Sequence, residues 1–194
     1  MKTLILFLIC VIFTQNIVYA KLETKDIKEP NTEAIGAILL DATNGRVLWE
    51  KNGYKELPMA STTKIMTLLV ALENGNKNDI VTVSSKASSQ PKVRMNLKKG
   101  EEIKLEHLLY ALMLNSFNDA AVAIAEHISG TVEDFTNLMT ERAKELGAYS
   151  TSFKTPSGLD ADGHFSTAFD MAIITKEALK NEELVKIITT ESTT

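Results

Sequence analysis

Apolar residues recur with a helical period in at least five stretches of this 194-residue chain, against a single stretch that reads as a β-hairpin. That imbalance is the tightest constraint on the fold. Ile65, Leu68, Leu69 and Leu72 fall at i, i+3, i+4 and i+7, the run opens at Ser61 or Thr62, and it stops at Asn74-Gly75. Leu105 to Leu114 and Asp119 to Ile128 read as two helices flanking the break Asn115-Ser116-Phe117-Asn118. Thr131, with Asp134 three residues on, caps a helix running to Leu146, and Ser166 or Thr167 caps another through about Lys180 that Glu182 to Ile188 continues. The hairpin is Ala34 to Leu40, the turn Asp41 to Gly45, and Arg46 to Glu50; one further short strand is expected at Ile80 to Val83. A two-stranded hairpin is marginal by itself, so it must pack on the helices or belong to a larger sheet whose other strands are missing from these residues. The class expected is α/β in the broad sense, with sheet and helices segregated in the α+β manner.

The first twenty residues have a separate meaning. Lys2 supplies a basic start, Leu4 to Val18 an apolar run broken by Thr14, Gln15 and Asn16, and Val18-Tyr19-Ala20 a small-residue cleavage pattern. Residues 1–20 are expected to be a signal peptide, being too short and interrupted for a spanning helix. Residues 21–32 are polar, carry Pro30 and read as a tether, and residues 33–194 form one domain. Cleavage removes Cys10, the one cysteine, which excludes disulfides, thiolate metal sites and a cysteine nucleophile. The net charge of −4, with signs interspersed, argues against a nucleic-acid partner, and Lys92, Arg94, Lys98 and Lys99, followed by Glu101 and Glu102, read as a solvated face. No H-E-x-x-H or other metal-ligand spacing occurs, so neither metal nor cofactor is expected; His107 and His127 read as structural, and Met66, Met113 and Met139 as core.

Two motifs carry chemistry. Ser61-Thr62-Thr63-Lys64 places a hydroxyl and an ammonium one helical turn apart, on one face. A lysine whose pKa is lowered by burial can take the serine proton, and the Ser61 backbone N–H at a helix start can stabilise an oxyanion. The alternative is that Ser61 simply caps the helix. Ser89-Gln90-Pro91-Lys92 has the same spacing, but Pro91 and the lack of an apolar period leave it in a loop. Ser116-Phe117-Asn118 puts a hydroxyl and an amide at a helix junction, where they can relay a proton and hold a carbonyl, or merely cap the next helix.

S-x-x-K opening a buried helix, then S-x-N between two helices about fifty residues on, is the motif order of penicillin-binding proteins and serine β-lactamases. Pro58 to Thr67, Leu114 to Ala121 and Gly158 to Ala168 resemble the low-molecular-mass D-Ala-D-Ala carboxypeptidases, in a likeness running from about Glu33 to Lys180. The resemblance implies a β-lactamase/transpeptidase-like fold. It also implies Ser61 as acyl-enzyme nucleophile, Lys64 as general base, Ser116 as proton relay to the leaving D-alanine, and Asn118 as the amide that positions Lys64 and the substrate backbone. The implied partners are the peptidoglycan stem peptide ending in D-Ala-D-Ala and β-lactam antibiotics as covalent inhibitors. Membrane association would come from a C-terminal segment beyond these residues. His164 falls in the loop bordering the cleft, with no chemistry assigned.

The family's third motif, K-T-G, does not occur: Lys2-Thr3-Leu4 lies in the expected signal peptide and Lys154-Thr155-Pro156 ends in proline. The chain therefore reads as the front portion of a longer protein. One reading is a serine-type D-Ala-D-Ala carboxypeptidase; another is a truncated, non-catalytic product. A class A β-lactamase is disfavoured, because the loop from Ser150 to Thr167 lacks the glutamate that would activate a deacylating water. Secreted material should begin at Lys21 on N-terminal sequencing, and a mature chain that starts at Met1 would refute the cleavage.

Overall fold

The computed structural model describes residues 28–191. The expected signal peptide and residues 21–27 of the expected tether lie outside them. Lys28 to Asn31, in a compact unit separate from the rest, are irregular and exposed. The second unit, from Thr32 onward, carries every helix and strand described below.

Strands β1 (Ala37–Leu40) and β2 (Val47–Lys51) pair antiparallel, with Ile38 opposite Glu50, Leu39 opposite Trp49 and an irregularity between Leu39 and Leu40. The Asp41 carboxylate closes the turn, accepting from Thr43 N–H at 2.9 Å and from Asn44 Nδ2 at 2.9 Å, and Gly45 supplies the positive φ of 76°. Beyond a loop, a 3-10 turn at Ala60–Thr62 runs into helix α1 (Thr63–Asn74). Strand β3 (Ile80–Thr82) pairs antiparallel with β4 (Glu102–Lys104), and the short helix α2 (Ser85–Ser88) lies between them in sequence. Helices α3 (Leu105–Leu114), α4 (Asn118–Ser129), α5 (Val132–Glu145), α6 (Ala168–Ala178) and α7 (Glu182–Ile188) complete the fold. Thr131, Thr167 and Asn181 cap α5, α6 and α7, each accepting the backbone N–H three residues on.

Helix α4 is the hub. Its first eight residues, Asn118 to Ala125, are all buried, and it packs against α1, α2, α3, α5 and β3. Alanines at 120, 121, 123 and 125 let those neighbours approach the helix closely. Helix α1 is enclosed in the same way: Met66, Thr67 and Val70 are as buried as Leu68 and Leu69, while Ile65 and Leu72 are half-buried. The sequence period thus named one stripe of a helix that is buried on several sides.

Three expectations need correction. The first strand begins at Ala37 rather than Ala34, because Gly36 turns against Leu57 and Asn52 Nδ2 takes the Ile35 carbonyl at 2.9 Å. The strand expected at Ile80 to Val83 ends at Thr82 and pairs with β4, whose three residues alternate too briefly to announce a strand in the sequence. Glu182 to Ile188 is a helix of its own, separated from α6 by the Asn181 cap.

A groove of about 610 Å³ runs between β1 and the α1–α6 pair, lined by Ile38, Leu57, Met59, Ile65, Met171 and Thr175 among others. Among the described residues β1 pairs on one side alone.

The segment 93–97 is held to α4 by Asp119, which is fully buried. Its carboxylate accepts Met95 N–H at 2.9 Å, Leu97 N–H at 3.1 Å and Ala120 N–H at 3.0 Å. Asp119→Ala removes the acceptor of three backbone donors and should cost about 2–4 kcal/mol in urea denaturation. A loss below about 0.5 kcal/mol would show that the segment is held by something else.

Candidate active site

Ser61 lies exposed in the 3-10 turn before α1, behind Ala60 at a φ of +47°. Its side chain caps nothing, and neither does that of Thr62, whose hydroxyl donates to the Met59 carbonyl at 2.6 Å. The capping alternative for Ser61 therefore fails. One turn on, Lys64 is 2% exposed. Its Nζ lies 3.3 Å from Ser61 Oγ, 3.1 Å from Asn118 Oδ1 and 2.5 Å from the Ser157 carbonyl.

Those three distances account for every proton on the ammonium. Burial lowers the Lys64 pKa from 10.5 to about 8. The orientation of the Asn118 amide is fixed from its other end, because Nδ2 donates to the carbonyls of Pro91 at 3.3 Å and Lys92 at 3.2 Å. Oδ1 therefore faces Lys64. When the amine loses a proton, its two remaining N–H groups stay with Asn118 Oδ1 and Ser157 O, acceptors that cannot donate. The lone pair is left facing Ser61 Oγ, the geometry for removing the hydroxyl proton.

Ser116 sits between α3 and α4 at a φ of +58°. Its Oγ is buried and, among the described residues, has no hydrogen-bond partner. Neither Ser116 nor Asn118 caps α4, where Phe117 holds the capping position without a side-chain bond. The structure thus joins Ser61, Lys64 and Asn118 by hydrogen bonds and leaves Ser116 outside that network.

Residues not singled out in the sequence also build the site. The Ser157 carbonyl is brought in by the bond from Thr67 Oγ1 to the Pro156 carbonyl at 2.6 Å and by Gly158, at φ +85°, where a Cβ would overlap the Ala60 carbonyl. A backbone carbonyl leaves no residue-type signal, although the resembling block opens at the next residue, Gly158. The Ser89–Lys92 stretch does lie in a loop, with Ser89 Oγ donating to the Lys86 carbonyl at 3.0 Å. Its carbonyls nonetheless hold the Asn118 amide. Lys92, Arg94, Lys98 and Lys99 are exposed, as expected of a solvated face. His127 Nε2 meets Asp79 Oδ2 at 3.2 Å, His107 is exposed, and no cluster of three or more metal-ligating side chains occurs among the described residues.

The sequence model of the peptidase S11 family, described as D-alanyl-D-alanine carboxypeptidase, matches residues 23–194. The chain belongs to this family. It is 43% identical over 173 residues to D-alanyl-D-alanine carboxypeptidase DacF of Bacillus subtilis, covering 87% of this chain and 44% of that protein. It is 38% identical to DacC of Escherichia coli, covering 77% of this chain and 40% of the relative. The chain thus spans less than half the length of these curated relatives. Among solved structures, the D-alanyl-D-alanine carboxypeptidase of Mycobacterium tuberculosis superposes with a TM-score of 0.82 at 31% identity, over 88% of this chain and 65% of that one. Penicillin-binding protein 5 of Haemophilus influenzae gives 0.77 at 34% identity, over 83% and 49%. The fold is that of the penicillin-binding proteins and transpeptidases, represented here by a partial domain of helices and small hairpins.

In this S11 chain only the neutral form of the Lys64 amine could accept the Ser61 proton, and its fraction rises with pH until the group has titrated. The rate at which a serine-directed acylating reagent modifies Ser61 should climb about tenfold per pH unit below about 8 and level off above it. A profile that is flat from pH 6 to 9 would exclude Lys64 as the base.

Proposed function

We propose that the protein is a serine-type D-Ala-D-Ala carboxypeptidase that removes the terminal D-alanine of peptidoglycan pentapeptides through an acyl-enzyme on Ser61. The observation that carries the reading is the Lys64 amine, 2% exposed, 3.3 Å from Ser61 Oγ and fixed from behind by Asn118 and Ser157. Lys64 takes the Ser61 proton as Oγ attacks the penultimate D-alanine carbonyl. The Ser61 backbone N–H faces the developing oxyanion. Asn118 orients the base, and Ser116, with its buried hydroxyl uncommitted, relays the proton that Lys64 took from Ser61, giving its own to the leaving D-alanine nitrogen as it accepts one from the ammonium. Water then hydrolyses the ester. A β-lactam presents its strained amide to the same hydroxyl and leaves a covalent adduct there. Export by way of residues 1–20 to the cell envelope agrees with a peptidoglycan substrate. Among the described residues no helix is long and apolar enough to cross a membrane.

A second reading, binding without turnover, draws on one observation: the 194 residues contain no Lys-Thr-Gly. The family's carboxylate-binding lysine and the N–H that completes its oxyanion hole are not among them. Loss of one oxyanion donor alone costs about 10² to 10³ in rate.

In a chain extended through Lys-Thr-Gly, labelled benzylpenicillin should acylate Ser61, and both Ser61→Ala and Lys64→Ala should abolish labelling. Residues 21–194 alone should release D-alanine at least about a thousandfold more slowly than a chain extended through Lys-Thr-Gly. Labelling that survives in Ser61→Ala, or a labelled peptide that contains Ser89, would sink the assignment. Equal turnover by the two chains would remove the second reading.

A further inference from the structure

His164 is 6% exposed and is hydrogen-bonded at both ring nitrogens. The Lys154 backbone N–H points at Nδ1 from 3.0 Å, and a backbone N–H can only donate. Nδ1 is therefore an unprotonated acceptor, and the ring proton sits on Nε2. From Nε2 it is donated to Thr63 Oγ1 at 3.1 Å. Thr63 is the first residue of α1, between the nucleophile turn and Lys64. Beside this bond, the loop backbone at Gly158 lies against the Ala60 carbonyl and the Thr63 hydroxyl. Phe153 holds the imidazole edge-on, with ring centroids 6.1 Å apart.

We propose that His164 is a positioning residue: as its Nε2–H tautomer it clamps the 153–164 loop to Thr63, and so holds the Ser157 carbonyl on Lys64 and keeps water off the amine. The proposal rests on Lys64 being the base of the acyl transfer described above. Burial holds the His164 pKa below its usual 6.5 against the opposing charge of Asp160, so the ring is neutral at pH 7. Burial is also the cause of the lowered Lys64 pKa, and no charged side chain contributes to it. Pro156, Ser157 and Gly158, all buried, supply one wall of that enclosure. If the clamp opens, water reaches the ammonium and its pKa climbs back toward 10.5. The loss of Ser157 O does not reverse this sign, since that carbonyl accepts from the neutral amine as well as from the ammonium.

The test follows the Lys64 ¹³Cε resonance through a pH titration of the full chain, together with the imidazole ¹⁵N spectrum. In the wild type the Lys64 midpoint should lie near 8, and His164 should show an unprotonated Nδ1. Thr63→Val keeps the shape and cuts only the bond, and it should lower the neutral fraction of Lys64 at pH 8 at least about threefold; Thr63→Ser should restore it. A protonated Nδ1, a Thr63→Val midpoint equal to the wild type, or a Thr63→Ser midpoint that stays raised would each overturn the proposal. The last outcome would mean that shape, and not the bond, was responsible. If Thr63→Val does not fold, the Thr63→Ser titration and the tautomer decide. Labelled benzylpenicillin on the same samples separates the two claims. A wild type that resists labelling while Lys64 titrates near 8 and responds to Thr63→Val refutes the acyl-transfer reading alone. Normal labelling with an unmoved Lys64 refutes the clamp alone.

Discussion

A lysine amine with almost no exposure must find three hydrogen-bond acceptors inside the protein, and much of this structure follows from how Lys64 finds them. One comes from its own helix turn, Ser61 Oγ; one from the start of α4, Asn118 Oδ1; and one from a loop some ninety residues further on, Ser157 O. An unpaired buried ammonium would cost several kcal/mol, so the three segments are required to meet at one point. Each segment has its own fastening. Thr67 takes the Pro156 carbonyl, Gly158 nests on the Ala60 carbonyl, and Asp119 ties the 93–97 segment beside Asn118.

The same enclosure makes the amine useful. Taking water away lowers its pKa to about 8, and the two acceptors that cannot reverse their role decide where the lone pair points. The cost is carried by the hydrophobic packing of α1 and α4, both enclosed by other helices, and part of it appears as backbone strain. Of the four non-glycine residues with positive φ among the described residues, Ala60 and Ser116 flank the site, at φ values of 47° and 58°. Each such conformation costs about 1–3 kcal/mol and persists only where its surroundings leave no alternative. Ala60 turns Ser61 outward to an exposed position, while Ser116 leaves its hydroxyl buried and unbonded.

The sequence revealed those parts of the fold whose physics is local. Helix α3 was bounded at Leu105 and Leu114 by its apolar period, the cap at Thr131 was visible as a hydroxyl residue with an acidic residue three positions on, and the cap of α6 was narrowed to Ser166 or Thr167, of which Thr167 holds it. Ser61 and Lys64 were legible because one helical turn fixes their separation. Asn118 was legible only in combination, since S-x-N alone reads equally well as a cap. What stayed hidden was non-local. The pairing of Ile80–Thr82 with Glu102–Lys104, the arrival of the Ser157 carbonyl and the Thr63–His164 bond all join segments whose side-chain types carry no mark of one another. The burial of Met66, Thr67 and Val70 on α1 was hidden for a related reason: a period identifies the most apolar stripe, and a helix enclosed by others has no single inward face.

Proton transfer and substrate anchoring make opposite demands on charge, and the described residues meet only the first. Lys64 acts as a base only in its neutral form, so in that form it offers no positive charge to a substrate's terminal carboxylate. No other cation is hydrogen-bonded to Ser61, Asn118 or Ser157 among the described residues. A carboxylate drawn out of water beside Ser61 would need a countercharge that persists after Lys64 has lost its proton. Next to the nucleophile turn the groove past Met59 and Thr62 is predominantly apolar and runs along β1, which among the described residues pairs on one side alone. Removal of the Ser61 proton is thus the step for which the geometry of these residues is suited, whereas holding a carboxylate, whether of a peptide or of a penicillin, calls for a cation outside the hydrogen-bonded network.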